Sequence, residues 1–291
     1  MKYIFFGTPT EATIVLDTLA ASGFLPSLIV TAPDRPAGRG LNIEESPVAA
    51  WGREHAIEVY KPESLRNEES VMKIQSVISN QGTGGDIEDE PSLAIVFAYG
   101  KIIPESILSL FSHGILNIHP SLLPLHRGPA PIEGALLAGD TETGVSIMLL
   151  DKEMDHGPIL AQEKITISET ETAPELLVRL IKLGSERLTA ILPDYISGKS
   201  GATPQDHEKA TYTKKITKAD GEINLADDPV EIYKKYRAYS GWPGIYYFLE
   251  NRTRIAIKKA RFEHDAFVIE RIVPEGKKEM DYVDYKKNAL R

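Results

Sequence analysis

The sequence predicts an α/β protein: a doubly wound, mostly parallel sheet followed by a small antiparallel β domain. Three observations carry this. Short apolar runs alternate with amphipathic helical stretches through residues 1–197, the rhythm of strand–helix–strand units. Residues 198–208, GKSGATPQDHE, are Gly-, Pro- and polar-rich and read as a linker. From 209 to 291 the pattern changes to alternating strands around tight turns, as in a small barrel. The 291 residues, 42% of them hydrophobic, are enough for two domains.

Residues 2–7 form an apolar run expected of a buried parallel strand. Pro9 opens a helix at a first-turn position, where its missing N–H costs nothing, and Gly23 ends it. Residues 25–31 read as the next strand. The stretch 32–41, APDRPAGRGL, is rich in Pro, Gly and Arg and predicts irregular structure. Ser46-Pro47 reads as an N-cap with Pro at N1. A short strand at 57–60 and a helix at 68–78 follow, then an acidic, Gly-rich exposed loop at 80–91. Strands are predicted at 93–99, ending at 119, at 144–150 and at 159–167. Helices are predicted at 104–111, 130–138 and 172–196. Beyond the linker, a helix at 228–239 precedes strands at 245–249, 253–258 and 266–272.

The net charge is −9, but it is uneven. Residues 209–291 hold 18 Lys and Arg against 13 Asp and Glu, net +5, which leaves 15 against 29, net −14, in residues 1–208. A basic C-terminal part on an acidic body suits either a local nucleic-acid footprint or a solvated mixed face. With no cysteine, disulfides and thiolate metal sites are excluded. The opening MKYIFFGTP lacks the features of a signal peptide, and no apolar run approaches the roughly 20 residues of a membrane span. The expectation is a cytoplasmic protein that acts as a monomer and does not engage membranes.

The chemistry gathers around GILNIHPSLLPLHRG, residues 114–128. On an alternating strand Asn117 and His119 share a face, and Pro120 ends the strand just beyond them. Read singly, either could be a hydrogen-bonded turn residue. Together they can polarise a carbonyl and hold a developing oxyanion. Asp155, in the polar stretch DKEMDHG after another strand, can orient the histidine and help move protons. Tyr99, His119 and Asp151 all fall at predicted C-terminal strand ends, where open α/β sheets bind ligands. No G-x-S-x-G surrounds Ser121, which favours direct transfer between two bound substrates over a covalent intermediate. Metal catalysis is not expected: His119 and His126 are seven apart, no H-E-x-x-H occurs, and 151–157 lacks calcium-loop spacing. Only Gly7 follows the first strand, so the sheet is Rossmann-like without the G-x-G-x-x-G of a dinucleotide site. Arg35 and Arg39 are either solvated turn residues or contacts for a phosphate or nucleic acid. Tyr99-Gly100 either ends a strand or walls a flat heterocycle pocket.

These residues resemble those of the folate-dependent formyltransferases, and specifically the methionyl-tRNA formyltransferase family. The resemblance spans residues 2–288 and rests on FGTP (6–9), PDRPAGRG (33–40), AYG (98–100), NIHPSLLPLHRGPAPI (117–132), GDTETGV (139–145), MDHGPIL (154–160), WPG (242–244) and PEGKKEM (274–280). It implies a Rossmann-like formyltransferase domain joined to an OB-like barrel that binds tRNA. Asn117, His119 and Asp155 match the family's catalytic trio. Ser121, Leu122, Leu123 and Pro124 match its tetrahydrofolate-contacting corner. Phe97, Ala98, Tyr99, Gly100 and Asp151 would wall the folate pocket. Arg39, with Arg35 in the same loop, would face the initiator tRNA. Two departures stand out: the lysines that often follow PAGRG are replaced by LNIEE, and the C-terminal domain is shortened between Phe262 and Ala266.

The implied activity is transfer of a formyl group from 10-formyltetrahydrofolate, without a metal, to the amino group of initiator methionyl-tRNA for translation initiation. A second reading keeps the chemistry and takes a nucleotide-linked amino sugar as acceptor. A third is a catalytically silent tRNA-binding or regulatory module.

Overall fold

Five buried residues, Tyr3–Gly7, make the first strand, β1, in the interior of the larger sheet. The computed structural model describes residues 3–37, 42–79 and 92–289. Helix α1 (Thr10–Ala21) follows, with Pro9 in extended conformation as its N-cap. Strand β2 is only Leu28–Val30, because Pro26 interrupts the apolar run that predicts a longer one. A short antiparallel ribbon comes next, β3 (Arg35–Ala37) paired with β4 (Asn42–Glu44). This corrects the expectation of irregular structure for 32–41. A two-stranded ribbon stands outside the main sheet, so a proline at Pro36 displaces no bond of a central ladder. Arg39 and the 80–91 loop lie outside the described residues.

Helix α2 (Pro47–Glu54) begins as expected, with the Ser46 hydroxyl accepting from the Ala49 N–H at 3.0 Å. Then come β5 (Val59–Tyr60), α3 (Glu68–Ser79), β6 (Leu93–Phe97), α4 (Glu105–Leu108) and β7 (Ile115–His119). They are followed by α5 (Pro131–Ala138), β8 (Glu142–Leu149), β9 (Ile159–Thr166) and α6 (Ala173–Ile196). Among the described residues, seven strands order as β5-β2-β1-β6-β7-β8-β9. Pairings from β5 through β7 are parallel, and β7 with β8 is antiparallel. The order reverses between β1 and β6, so a crevice is expected beyond their C-terminal ends.

The C-terminal part holds α7 (Pro229–Tyr239), capped by Asp228, then β10 (Ile245–Phe248), β11 (Arg254–Glu263), β12 (Ala266–Pro274), β13 (Met280–Asp281) and α8 (Tyr282–Ala289). Its four strands form one antiparallel sheet in sequence order. Helix α8 has no counterpart in the sequence reading, since PEGKKEMDYVDYKK carries too few apolar residues to show helical periodicity.

Two compact units emerge. The first comprises Met1–Leu125, Gly144–Lys164 and Arg179–Ala210, and the second His126–Thr143, Ile165–Val178 and Thr211–Arg291. Among the described residues no helix is long and apolar enough to cross a membrane.

Candidate active site

Every described candidate residue lies in the first unit. Strand β7 carries Asn117 and His119 at its C-terminal end, two residues apart on one face. Their register is set on both sides: Asn117 pairs with Val96 of β6 and Met148 of β8, and His119 pairs with Ser146. Asn117 is half-buried and His119 is 4% exposed.

Asp155 reaches this pair from the loop between β8 and β9. Its Oδ1 lies 3.7 Å from His119 Nδ1, within ion-pair reach. The loop takes a left-handed turn at Asp155, with φ of +50°, a region that aspartate tolerates better than most side chains. Asp151 closes the same loop internally. One of its carboxylate oxygens accepts from the Glu153 N–H at 2.8 Å, and the other lies 2.7 Å from His156 Nδ1. Gly157 returns the chain to β9 so tightly that an added Cβ would collide with the Leu149 carbonyl oxygen. The Gln205 side-chain nitrogen donates to the carbonyls of Asp155 and Gly157, at 2.9 and 2.7 Å.

The Ser121–Pro124 corner sits beside His119 in sequence and is held from within. The Ser121 hydroxyl donates to the Leu125 carbonyl at 2.6 Å. Ser146, fully buried on β8, donates to the Ser121 carbonyl at 2.6 Å and accepts from the Leu123 N–H at 3.0 Å. Gln162 on β9 donates to both the Leu123 carbonyl and the Ser146 hydroxyl, at 2.8 and 2.9 Å. Ser121 and Leu123 are buried, which leaves Leu122 and Pro124 as the half-exposed members.

A cleft of about 520 Å³ opens at the C-terminal ends of β1, β2 and β6, lined by residues that include Thr8, Pro33, Arg35, Ala98 and Gly100. That is the reversal point of the strand order, and the volume suits a small-molecule group. Ala98 and Gly100 are exposed there, while Phe97 and Tyr99 turn inward. Ala98 (φ +49°) and Gly100 (φ +76°) both adopt left-handed backbone, so the chain bends sharply after β6. Burial, aided by nearby Tyr60, pushes the Tyr99 hydroxyl up to about 12, so it stays neutral at physiological pH. Asn117, His119 and Asp155 stand outside this lining, on the neighbouring strand β7 and the 151–157 loop.

Sequence reasoning named Asn117, His119, Asp155 and the corner. It missed Ser146, Gln162, His156 and Gln205, which hold them. Ser146 and Gln162 show in sequence only as polar residues inside strand patterns, and Gln205 only as part of a linker-like stretch. Among the described residues no three His, Cys, Asp or Glu side chains converge as metal ligands would. Chemically, an amide and an imidazole share one face of a strand, with a carboxylate on the ring's Nδ1 side. This arrangement can donate to a carbonyl oxygen, stabilise charge on it and relay a proton.

Comparison with known proteins places the chain. A family model described as formyl transferase matches residues 1–192, and one for the formyl transferase C-terminal domain matches residues 215–270. The methionyl-tRNA formyltransferase of Chloroflexus aurantiacus is 41% identical over 260 residues, covering 89% of this chain and 80% of the relative. That of Geobacter sulfurreducens is 37% identical over 253 residues, covering 87% and 76%. Solved structures agree in fold. A methionyl-tRNA formyltransferase from Clostridium thermocellum matches with a TM-score of 0.60 at 15% identity, over 94% of this chain and 98% of that one. An N-formyltransferase from Helicobacter canadensis, in complex with folinic acid and dTDP-3-aminofucose, matches with a TM-score of 0.64 at 17% identity, over 90% and 89%. Family models over both parts of the chain, and relatives matched across most of their own length, carry one conclusion: the chain belongs to the formyl transferase family, among the methionyl-tRNA formyltransferases.

Proposed function

We propose that this transferase moves the formyl group of 10-formyltetrahydrofolate to the α-amino group of initiator methionyl-tRNA, with Asn117, His119 and Asp155 as the groups that act on the reacting atoms. The observation that carries the assignment is the 3.7 Å approach of Asp155 to His119, on the strand face that also bears Asn117. The neutral amine attacks the formyl carbon, a C–N bond forms, and the bond from that carbon to the folate nitrogen breaks. Asn117 and His119 donate to the formyl oxygen as it gains charge. Asp155, on the Nδ1 side of the imidazole, steadies positive charge on the ring. The proton lost by the attacking amine passes through this pair to the departing folate nitrogen. Holding two substrates in line contributes alongside these groups.

Leu122 and Pro124, the accessible members of the corner, and the backbone at Ala98 and Gly100 wall the folate in this reading. Phe97, Tyr99, Ser121 and Leu123 shape that wall from behind, and Asp151 braces the loop that closes it. Arg35, which lines the cleft beside β6, would meet the acceptor from the other side of that opening. Arg39 would extend that contact, and the basic residues beyond 209 would meet the tRNA backbone. The matched models at 1–192 and 215–270 support a catalytic part to about residue 197 and a tRNA-binding, OB-like part from 209. An acceptor of this kind belongs to the cytoplasm, where the reading places the protein. The amino-sugar alternative draws on neighbours of 16–18% identity, which carry the fold alone, whereas the sequence relatives at 37–41% are methionyl-tRNA enzymes.

The test is formylation of charged initiator tRNA, assayed beside a nucleotide-linked amino sugar. Transfer to the tRNA alone is expected. His119→Ala should lower kcat by about 10²–10³, the usual cost of losing one oxyanion donor. Near-normal turnover in a folded His119→Ala or Asp155→Ala variant would overturn the roles, and preference for the sugar would overturn the acceptor.

A further inference from the structure

The stretch that reads as a linker does more than connect. Thr203 bridges to Ile159 through paired backbone hydrogen bonds of 2.8 Å, which sets the segment against the start of β9. Two residues on, Gln205 is 6% exposed although Thr203, Pro204, Asp206 and His207 around it are exposed. A long polar side chain is buried only with its polar atoms satisfied. Here the amide nitrogen spans the turn of the Asp155 loop, donating one N–H to the Asp155 carbonyl and the other to the Gly157 carbonyl. Two carbonyl acceptors also fix which way the amide points, since the reversed amide would set oxygen against oxygen. His207 adds a second contact, its ring stacked on His156 at 3.9 Å with planes 2° apart.

The bonded turn is the one that needs holding. Asp155 occupies left-handed backbone, and its carboxylate must reach His119 from a loop whose own ties are Asp151 and the tight return at Gly157. We propose that Gln205 is a positioning residue for the transfer reaction, clamping the backbone on both sides of His156 so that the Asp155 carboxylate is presented to His119. This rests on the reading that Asp155 takes part in the chemistry.

The experiment uses the full chain with 10-formyltetrahydrofolate and charged initiator tRNA. Gln205→Met keeps length and volume but cannot donate, and Gln205→Glu keeps shape but presents oxygen to two carbonyls. Both should lower kcat by about 10- to 100-fold, in line with a misplacement of about 1 Å, with KM for either substrate changed less than threefold. Wild-type kcat in Gln205→Met would make the residue a space-filler and overturn the proposal. The decisive arm is the pair with Asp155→Ala. A residue that acts through Asp155 adds nothing once that carboxylate is gone, so the double variant should match Asp155→Ala alone. A further tenfold loss in the double variant would overturn the positioning role. Hydrogen exchange of the 150–158 backbone should quicken in Gln205→Met while the β-sheet amides stay protected, and unchanged exchange there would also overturn it. If Asp155→Ala itself turns over normally, the assignment of Asp155 falls, whereas a crippled Asp155→Ala beside a normal Gln205→Met sinks only the clamp.

Discussion

The corner at Ser121–Pro124 and the loop at 151–157 both serve the strand end at His119, yet they are held in opposite ways. The corner is tied inward by Ser146 of β8, whose hydroxyl is fully buried, and the exposed Gln162 of β9 adds bonds from outside. The loop is tied mainly at the surface, by a half-exposed Asp151–His156 pair, by a tight return at Gly157 and by the exposed His207, with the buried Gln205 amide as an inward tie. Buried, mutually dependent hydrogen bonds are part of the fold's stability, while partly exposed ones near a turn contribute little to it. The corner should therefore be inseparable from the stability of the sheet, and the loop should be adjustable without unfolding anything. Such a division suits a site in which one wall is fixed and the carboxylate proposed to act on His119 is carried on a loop that can be adjusted separately.

The largest effect should come from Ser146→Ala. It leaves the Ser121 carbonyl and the Leu123 N–H without the hub they share, in a region closed to water. A loss of about 3 kcal/mol is expected, from leaving such groups unsatisfied, read as a lower denaturant midpoint with unchanged slope. A loss under about 0.5 kcal/mol, the range of ordinary surface substitutions, would mean that the corner is not built into the fold. The loop should answer differently. Gly157→Ala forces the backbone away from the Leu149 carbonyl and shifts the turn that carries Asp155. A kcat lower by about 100-fold is expected for a displacement of about 1 Å at a catalytic group, with the sheet still folded by circular dichroism.

How far this contrast is legible before folding differs between the two regions. Asn117 and His119 can be paired from sequence because a strand has a fixed period of two and Pro120 marks its end. The alternation of strands and helices likewise predicts the doubly wound sheet, and Ser46-Pro47 predicts its helix start, because these depend on neighbours in the chain. Asp155 could be named as a strand-end carboxylate, but its approach to His119 depends on a left-handed turn that no local pattern demands. Ser146 and Gln162 pass as ordinary polar positions in strands because their roles arise only when β8 and β9 lie beside the corner. Gln205 is the least legible of all, since TPQDHE has the composition of a linker and its partners lie about 50 residues earlier. The ribbon of β3 and β4 was hidden for a related reason. Pro and Gly weigh against a central strand but not against a short pair outside the main sheet.

A smaller change sharpens the comparison within the loop. Asp151→Ala removes both the bond to the Glu153 N–H and the partner of His156. Because the pair is about one-third exposed, stability should fall by no more than about 1 kcal/mol. The kcat for formylation should still drop by about tenfold, a partial form of the displacement above. Equal losses in stability for Asp151→Ala and Ser146→Ala would erase the distinction between the two regions.

The smallest effect belongs to a third wall, the bend after β6, where the Thr8 hydroxyl donates to the Tyr99 carbonyl at 3.2 Å. Tyr99 is buried after β6, and its hydroxyl has no hydrogen-bond partner among the described residues. Tyr99→Phe removes that orphan and should raise stability by up to about 1 kcal/mol at neutral pH, the opposite sign to Ser146→Ala. Alkaline pH gives a further handle. The folded-state value of about 12 lies above the ordinary tyrosine value of about 10, so between them the unfolded chain has lost the proton that the folded chain keeps. The tyrosine's ionisation therefore favours unfolding as pH rises through that window. Denaturation of the two proteins compared from pH 8 to pH 11 should show the advantage of Tyr99→Phe growing above pH 10. A constant difference would mean that the hydroxyl is solvated, and an advantage for tyrosine at neutral pH would mean that it has a bonding partner after all.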